Sequence, residues 1–179
     1  MAIVVEDGTG LTNADALISV DYLESYCDAR GKDYSSYTTA QEEQAIVRAT
    51  DFMSESYTWQ GFKLKERGHA DGEQSLAWPR QYVIDRNGYS LASDSVPSEV
   101  QKATAELAFY ELGNVGALQP VYTPSERVRM EKFGPVSFEY DMSRTDADAV
   151  RPVLLAVRDL IGQFIATGGS RLAGRAVRG

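Results

Sequence analysis

From position 39 to 57 the chain carries one clear period. Ala45, Ile46, Ala49, Phe52, Met53 and Tyr57 fall at the three- and four-residue spacing of a single helical face. Thr39 and Glu42 have the form of a capping box at its start, and Glu42 with Glu43 suits the positive end of the helix dipole. Such a stripe has to be covered by other elements, and three further segments are built to do so. Ser19 can cap a helix over about 20–30, with Tyr22, Leu23 and Tyr26 on one face and Gly31 closing it. Pro97 sits in the favoured first turn of a helix reaching 112, whose Val100, Ala103, Thr104, Leu107 and Ala108 allow close packing. A last amphipathic helix over about 150–165 tolerates Pro152 in its first turn and gathers Val153, Leu154, Val157, Leu160, Ile161 and Phe164. The expected fold is mainly α, a bundle of about four helices.

The segments between the helices carry different signals. Residues 1–18 read as an extended arm, Ile3-Val4-Val5, and a turn at Asp7-Gly8-Thr9-Gly10. Residues 58–95 hold Gly61, Gly68, Gly72, Pro79 and Gly88 and read as a long irregular connection, a length that is unusual in a loop without a task. Within it lies Trp78-Pro79-Arg80. Burying a large aromatic is worth on the order of 2–3 kcal/mol, so Trp78 either anchors the loop to the core or faces a partner chain. Arg80 can lie over an aromatic face or pair with a carboxylate. From 128 to 140 the period changes to two, with Val128 and Met130, then Val136, Phe138 and Tyr140, broken at Gly134-Pro135. This predicts an extended β-hairpin at about 126–140. A two-stranded ribbon is marginal alone in water, so these five residues are expected to contact another subunit or partner. One domain over 1–167 and a flexible basic tail over 168–179 complete the organisation.

Charge narrows the function classes. The net charge is −8, yet Arg171, Arg175 and Arg178 stand without an acid in the last nine residues, leaving 15 basic against 26 acidic side chains elsewhere. An acidic body repels nucleic acid, whereas the three tail arginines are candidate partner contacts. If the body lines a path for DNA, its lumen acids are expected among Glu42, Glu43, Asp51, Glu55, Glu99 and Glu106. No apolar run of about 18 residues predicts a membrane span and no basic-plus-apolar start predicts export. Cys27 is the single cysteine, expected as a packed thiol. With one Cys and one His (His69), no soft tetrahedral zinc site is expected within one chain. Asp85-Arg86-Asn87-Gly88 lacks the spacing and terminal glutamate of a calcium loop and reads as a turn. No nucleophile motif or carboxylate pair stands out. No catalytic residue, cofactor or metal is expected, and the chain reads as a non-enzyme.

Trp78-Pro79-Arg80, then Asp85-Arg86-Asn87-Gly88, then Val96-Pro97 leading into Ala105-Glu106-Leu107-Ala108, resemble in order the head–tail connector (adaptor, head-completion) proteins of tailed bacteriophages. Val5-Glu6-Asp7-Gly8-Thr9-Gly10 with Ala14-Asp15 and Ser19-Val20 extends the likeness towards the start, and Glu131-Lys132-Phe133-Gly134-Pro135-Val136 with Glu139-Tyr140 extends it towards the end. Some members of this family are described as DnaT-like single-stranded-DNA-binding proteins. The resemblance implies a helical body with a hairpin packing on adjacent subunits. It also implies a ring of about twelve copies between the portal and a tail-side or stopper protein, through which DNA passes without specific binding. The location would be the virion neck, with host cytoplasm during assembly. A single-stranded-nucleic-acid-binding module is the alternative. It needs aromatics interleaved with Lys and Arg, and the best short basic run, Lys63, Lys65 and Arg67, is interrupted by Glu66.

Overall fold

The computed structural model describes residues 3–119, 130–133, 136–139 and 154–166. The elements are α1 (Val20–Asp28), α2 (Thr39–Ser56), β1 (Phe62–Lys63), β2 (Arg80–Gln81), α3 (Ser98–Gly113), β3 (Met130–Phe133), β4 (Val136–Glu139) and α4 (Leu155–Ile161), which tightens into a 3-10 turn at Gly162–Phe164. The fold is mainly helical with small antiparallel ribbons, as the periodicities predict.

Capping fixes where two helices begin. Ser19 is extended, and its hydroxyl accepts the Tyr22 N–H at 3.1 Å. The start of α2 is displaced by one residue from the sequence expectation. Thr38, not Thr39, is the extended cap. Its hydroxyl accepts from the Gln41 N–H while the Gln41 side chain accepts the Thr38 N–H at 2.8 Å. Thr39 is already helical, so Glu42 has no cap to reach back to and is buried instead, 2 % exposed.

The hub of the bundle is α3, which packs against α1, α2 and α4. The sequence assigned it one small-residue face. In the fold Val100, Ala103, Thr104, Ala105, Leu107, Ala108, Glu111 and Leu112 are all buried, so the helix is enclosed on several sides. Alanines on these sides let neighbouring backbones approach closely. The apolar face predicted for α2 is the one that packs inward: Ala45, Ile46, Ala49, Phe52 and Met53 are buried. The last helix is shorter than expected. Val157 and Ile161 of α4 and Phe164 beyond it reach the core, while Leu154 and Leu160 are partly buried; Val150, Pro152 and Val153 lie outside the described residues.

Two non-helical segments also enter the core. Val5 bridges to Ala16, and Ala14, Ala16, Leu17 and Ile18 are buried, so the N-terminal arm is core rather than fringe. The 58–95 connection is tied to the far end of the chain: Trp59 bridges to Ile165, the Gln60 N–H donates to the Phe164 carbonyl, and the Ala166 N–H to that of Thr58. Inside the connection β1 pairs with β2, matching Phe62 with Gln81 and Lys63 with Arg80.

Candidate interaction surfaces

Trp78 is fully buried, edge-on to Trp59 (centroids 5.5 Å apart) and to Phe164 (5.8 Å). It is therefore the anchor of the 58–95 connection, and the alternative of a tryptophan facing a partner chain is overturned. The peptide bond to Pro79 is cis. Arg80 does neither of the two things expected of it. Its guanidinium donates to three backbone carbonyls, those of Gln60 (2.7 Å), Gly61 (2.8 Å) and Ala77 (3.1 Å). The fork of guanidinium donors matches carbonyls left over where the chain doubles back, so Arg80 clamps β2 to the start of the connection.

That clamp supports an outward-facing aromatic pair. Phe62 is 58 % exposed and Tyr82 72 %, with ring centroids 6.3 Å apart and edge-to-face. Tyr82 holds φ at +61°, a conformation that non-glycine residues seldom adopt and that persists where surrounding structure enforces it. Enforcement comes from Gly61: at φ +63° a side chain there would meet the Gln81 carbonyl oxygen at 2.0 Å, so only glycine permits the approach. Val83 is fully buried and Ile84 again exposed. Lys63 and Arg67 flank the pair, and both face Glu73, at 3.7 and 3.5 Å.

The hairpin forms in the predicted place. Met130 pairs with Glu139, Glu131 with Phe138, Lys132 with Ser137 and Phe133 with Val136. By the two-residue period of strands, Phe133, Val136 and Phe138 share one face with Glu131, and Met130 falls on the other. The sequence had singled out Met130 and missed Phe133. Among the described elements β3 and β4 pack on each other and on no other helix or strand. Val128, Tyr140, Arg171, Arg175 and Arg178 lie outside the described residues.

Three buried polar side chains that the sequence did not reveal organise the loops. Glu6 accepts the N–H groups of Gly8, Gly10 and Leu11, so the Asp7–Gly10 turn folds around a carboxylate. Gln74 accepts from the Lys65 N–H and donates to the Leu76 and Pro79 carbonyls. Glu111 takes the Arg48 guanidinium at 2.7 Å and the N–H groups of Gly116 and Leu118. Acids at such spacings give no periodic signal. Their role appears only once the loop carbonyls and amides are in place.

Of the acids expected to line a channel, two are engaged elsewhere. Glu42 is buried, and burial first, then nearby Glu24, raise its carboxyl above the ordinary value. Glu106 accepts from Tyr26 at 2.6 Å and Lys32 at 2.5 Å; burial pushes its carboxyl up, but these partners outweigh it and hold it below the usual carboxylate value. Cys27 is buried with its thiol pushed up by burial, a packed residue as expected. Asp85-Arg86-Asn87-Gly88 is a turn: the Asp85 carboxylate accepts the Asn87 and Tyr89 N–H groups and Gly88 takes φ +86°. His69 lies near Asp71 in an exposed loop. Among the described residues no group of acids, His and Cys is arranged to hold a metal ion, and no helix is long and apolar enough to cross a membrane.

Over its whole length, residues 1–179, the chain belongs to the family described as "Putative DnaT-like ssDNA binding protein". No curated protein and no solved structure matches it.

Proposed function

With that family as the premise, we propose that the chain is a structural head–tail connector of a tailed bacteriophage. Its copies would form a ring, of about twelve by the resemblance above, between the portal and a tail-side or stopper protein, with DNA passing through. The observation that carries this reading is the β3–β4 ribbon. It has an apolar face, is marginal in water by itself and finds no helix or strand of its own chain to pack on among the described elements. An element of this kind is completed by another chain. Charge supports the same reading: residues 3–119 and 154–166 hold 10 Lys and Arg against 20 Asp and Glu. Such a surface lets DNA pass without holding it. The role proposed is non-enzymatic and needs no cofactor.

The family description favours a second reading, single-stranded-nucleic-acid binding. The exposed Phe62 and Tyr82 beside Lys63 and Arg67 have the composition of a base-stacking platform. Against it, both cations face Glu73 and the surrounding surface is acidic.

One paired assay separates the two readings. Purified chain is tested for gel-shift of a labelled single-stranded oligonucleotide at moderate salt and for copurification with portal particles. The connector reading expects copurification and no shift. A salt-sensitive shift without copurification replaces it with the nucleic-acid reading.

A further inference from the structure

The Phe62–Tyr82 pair is the most exposed aromatic feature described, and everything around it is rigid. Arg80 is clamped by three carbonyls, Gly61 is there to admit the Gln81 carbonyl, and Tyr82 is held at a positive φ that turns it outward beside Phe62. Aromatic side chains fixed in an exposed position before binding are what a protein interface uses at its centre, because little side-chain freedom remains to be lost. The same chain carries a second unpartnered apolar face, Phe133, Val136 and Phe138 on the hairpin, and the two do not meet within one molecule, since β3 and β4 touch neither β1 nor β2. Their rims are complementary. Glu131 lies on the apolar face of the hairpin, and Lys63 and Arg67, the latter 92 % exposed, flank the aromatic pair.

We propose that the Phe62–Tyr82 platform is the surface on which a second copy of this chain seats the Phe133, Val136 and Phe138 face of its hairpin. The contact is heterologous: each copy offers a platform on one side and a hairpin on another, the arrangement that closes into rings when the rotation between copies permits. This rests on the assembly reading above and names the surface that it requires. Docking brings Glu131 of one copy towards Lys63 and Arg67 of the next and exchanges part of their pairing with Glu73 for an intermolecular one.

Complementation in trans tests this directly. The platform variant Phe62→Ser/Tyr82→Ser keeps an intact hairpin, and Phe138→Asp keeps an intact platform. Sedimentation velocity of the full chain, with helix content followed by circular dichroism, is expected to show assembly of the wild type and folded monomers of each variant alone. An equimolar mixture of the two variants is expected to form a dimer and stop, because one good platform meets one good hairpin and the remaining faces are spoiled. Assembly of the wild type with equal assembly of the platform variant overturns the docking alone. So does a mixture that stays monomeric while the wild type assembles. A wild type that remains monomeric at all concentrations, alone and with portal, overturns the assembly reading and the docking together. If Phe138→Asp unfolds, Glu131→Lys replaces it as the hairpin variant, with weakened assembly expected and unchanged assembly counting against the docking.

Discussion

Trp78→Ala removes the side chain on which the 58–95 connection hangs. Trp78 is fully buried between Trp59, 5.5 Å away at 77°, and Phe164, 5.8 Å away at 69°. Truncating a buried tryptophan costs about 3–5 kcal/mol, through lost transfer energy and the cavity left behind. Its indole N–H has no hydrogen-bond partner, so the loss is entirely one of packing. For a chain of this length each kcal/mol moves the melting midpoint by about 2–4 °C, which places the expected drop at about 6–20 °C. Trp78→Phe should lose less than half as much, because a ring still fills most of the site and an unpaired buried donor is removed. Thermal melting by circular dichroism gives the magnitude, and limited proteolysis shows whether cleavage concentrates within 58–95. A Trp78→Ala protein that melts with the wild type and resists protease there would refute the anchoring argument.

Glu111→Ala strands the Gly116 and Leu118 N–H groups at the end of α3, each worth about 1–3 kcal/mol when left without an acceptor, so urea denaturation should show a loss of about 2–4 kcal/mol. Glu42→Gln should have the opposite sign. The raised folded-state pKa means that the charge costs stability above that value and nothing once pH falls below the ordinary 4.5, so the variant should melt higher at pH 7 and level with the wild type near pH 4. Deleting residues 170–179, with Arg171, Arg175 and Arg178, should leave the melting midpoint unchanged and weaken cosedimentation with portal in a salt-dependent way.

Periodicity was readable where burial was one-sided. The α2 stripe of Ala45, Ile46, Ala49, Phe52 and Met53, the Ser19 cap and the hairpin break at Gly134-Pro135 follow from spacing and turn chemistry. Thr38 and Thr39 are chemically equal caps, and which one is extended depends on how α2 docks, so the sequence placed the box one residue late. The position of α3 as hub was hidden because alanine has no strong pattern; Ala103, Ala105 and Ala108 serve several neighbours at once. In the loops the sequence recognised Trp78 as an anchor, since burial of so large an aromatic is hard to avoid. It missed what Arg80, Glu6 and Gln74 do, because their partners are backbone groups brought close only by the fold. The Phe62–Tyr82 platform was missed for the same reason: the two residues are distant in sequence and meet through the pairing of β1 with β2.

Negative-stain microscopy of portal particles incubated with the purified chain tests the central claim most directly. The account predicts an added ring of density on one end of the portal, absent when the chain carries Phe62→Ser/Tyr82→Ser. Portal particles that look the same with and without the wild-type chain would contradict it.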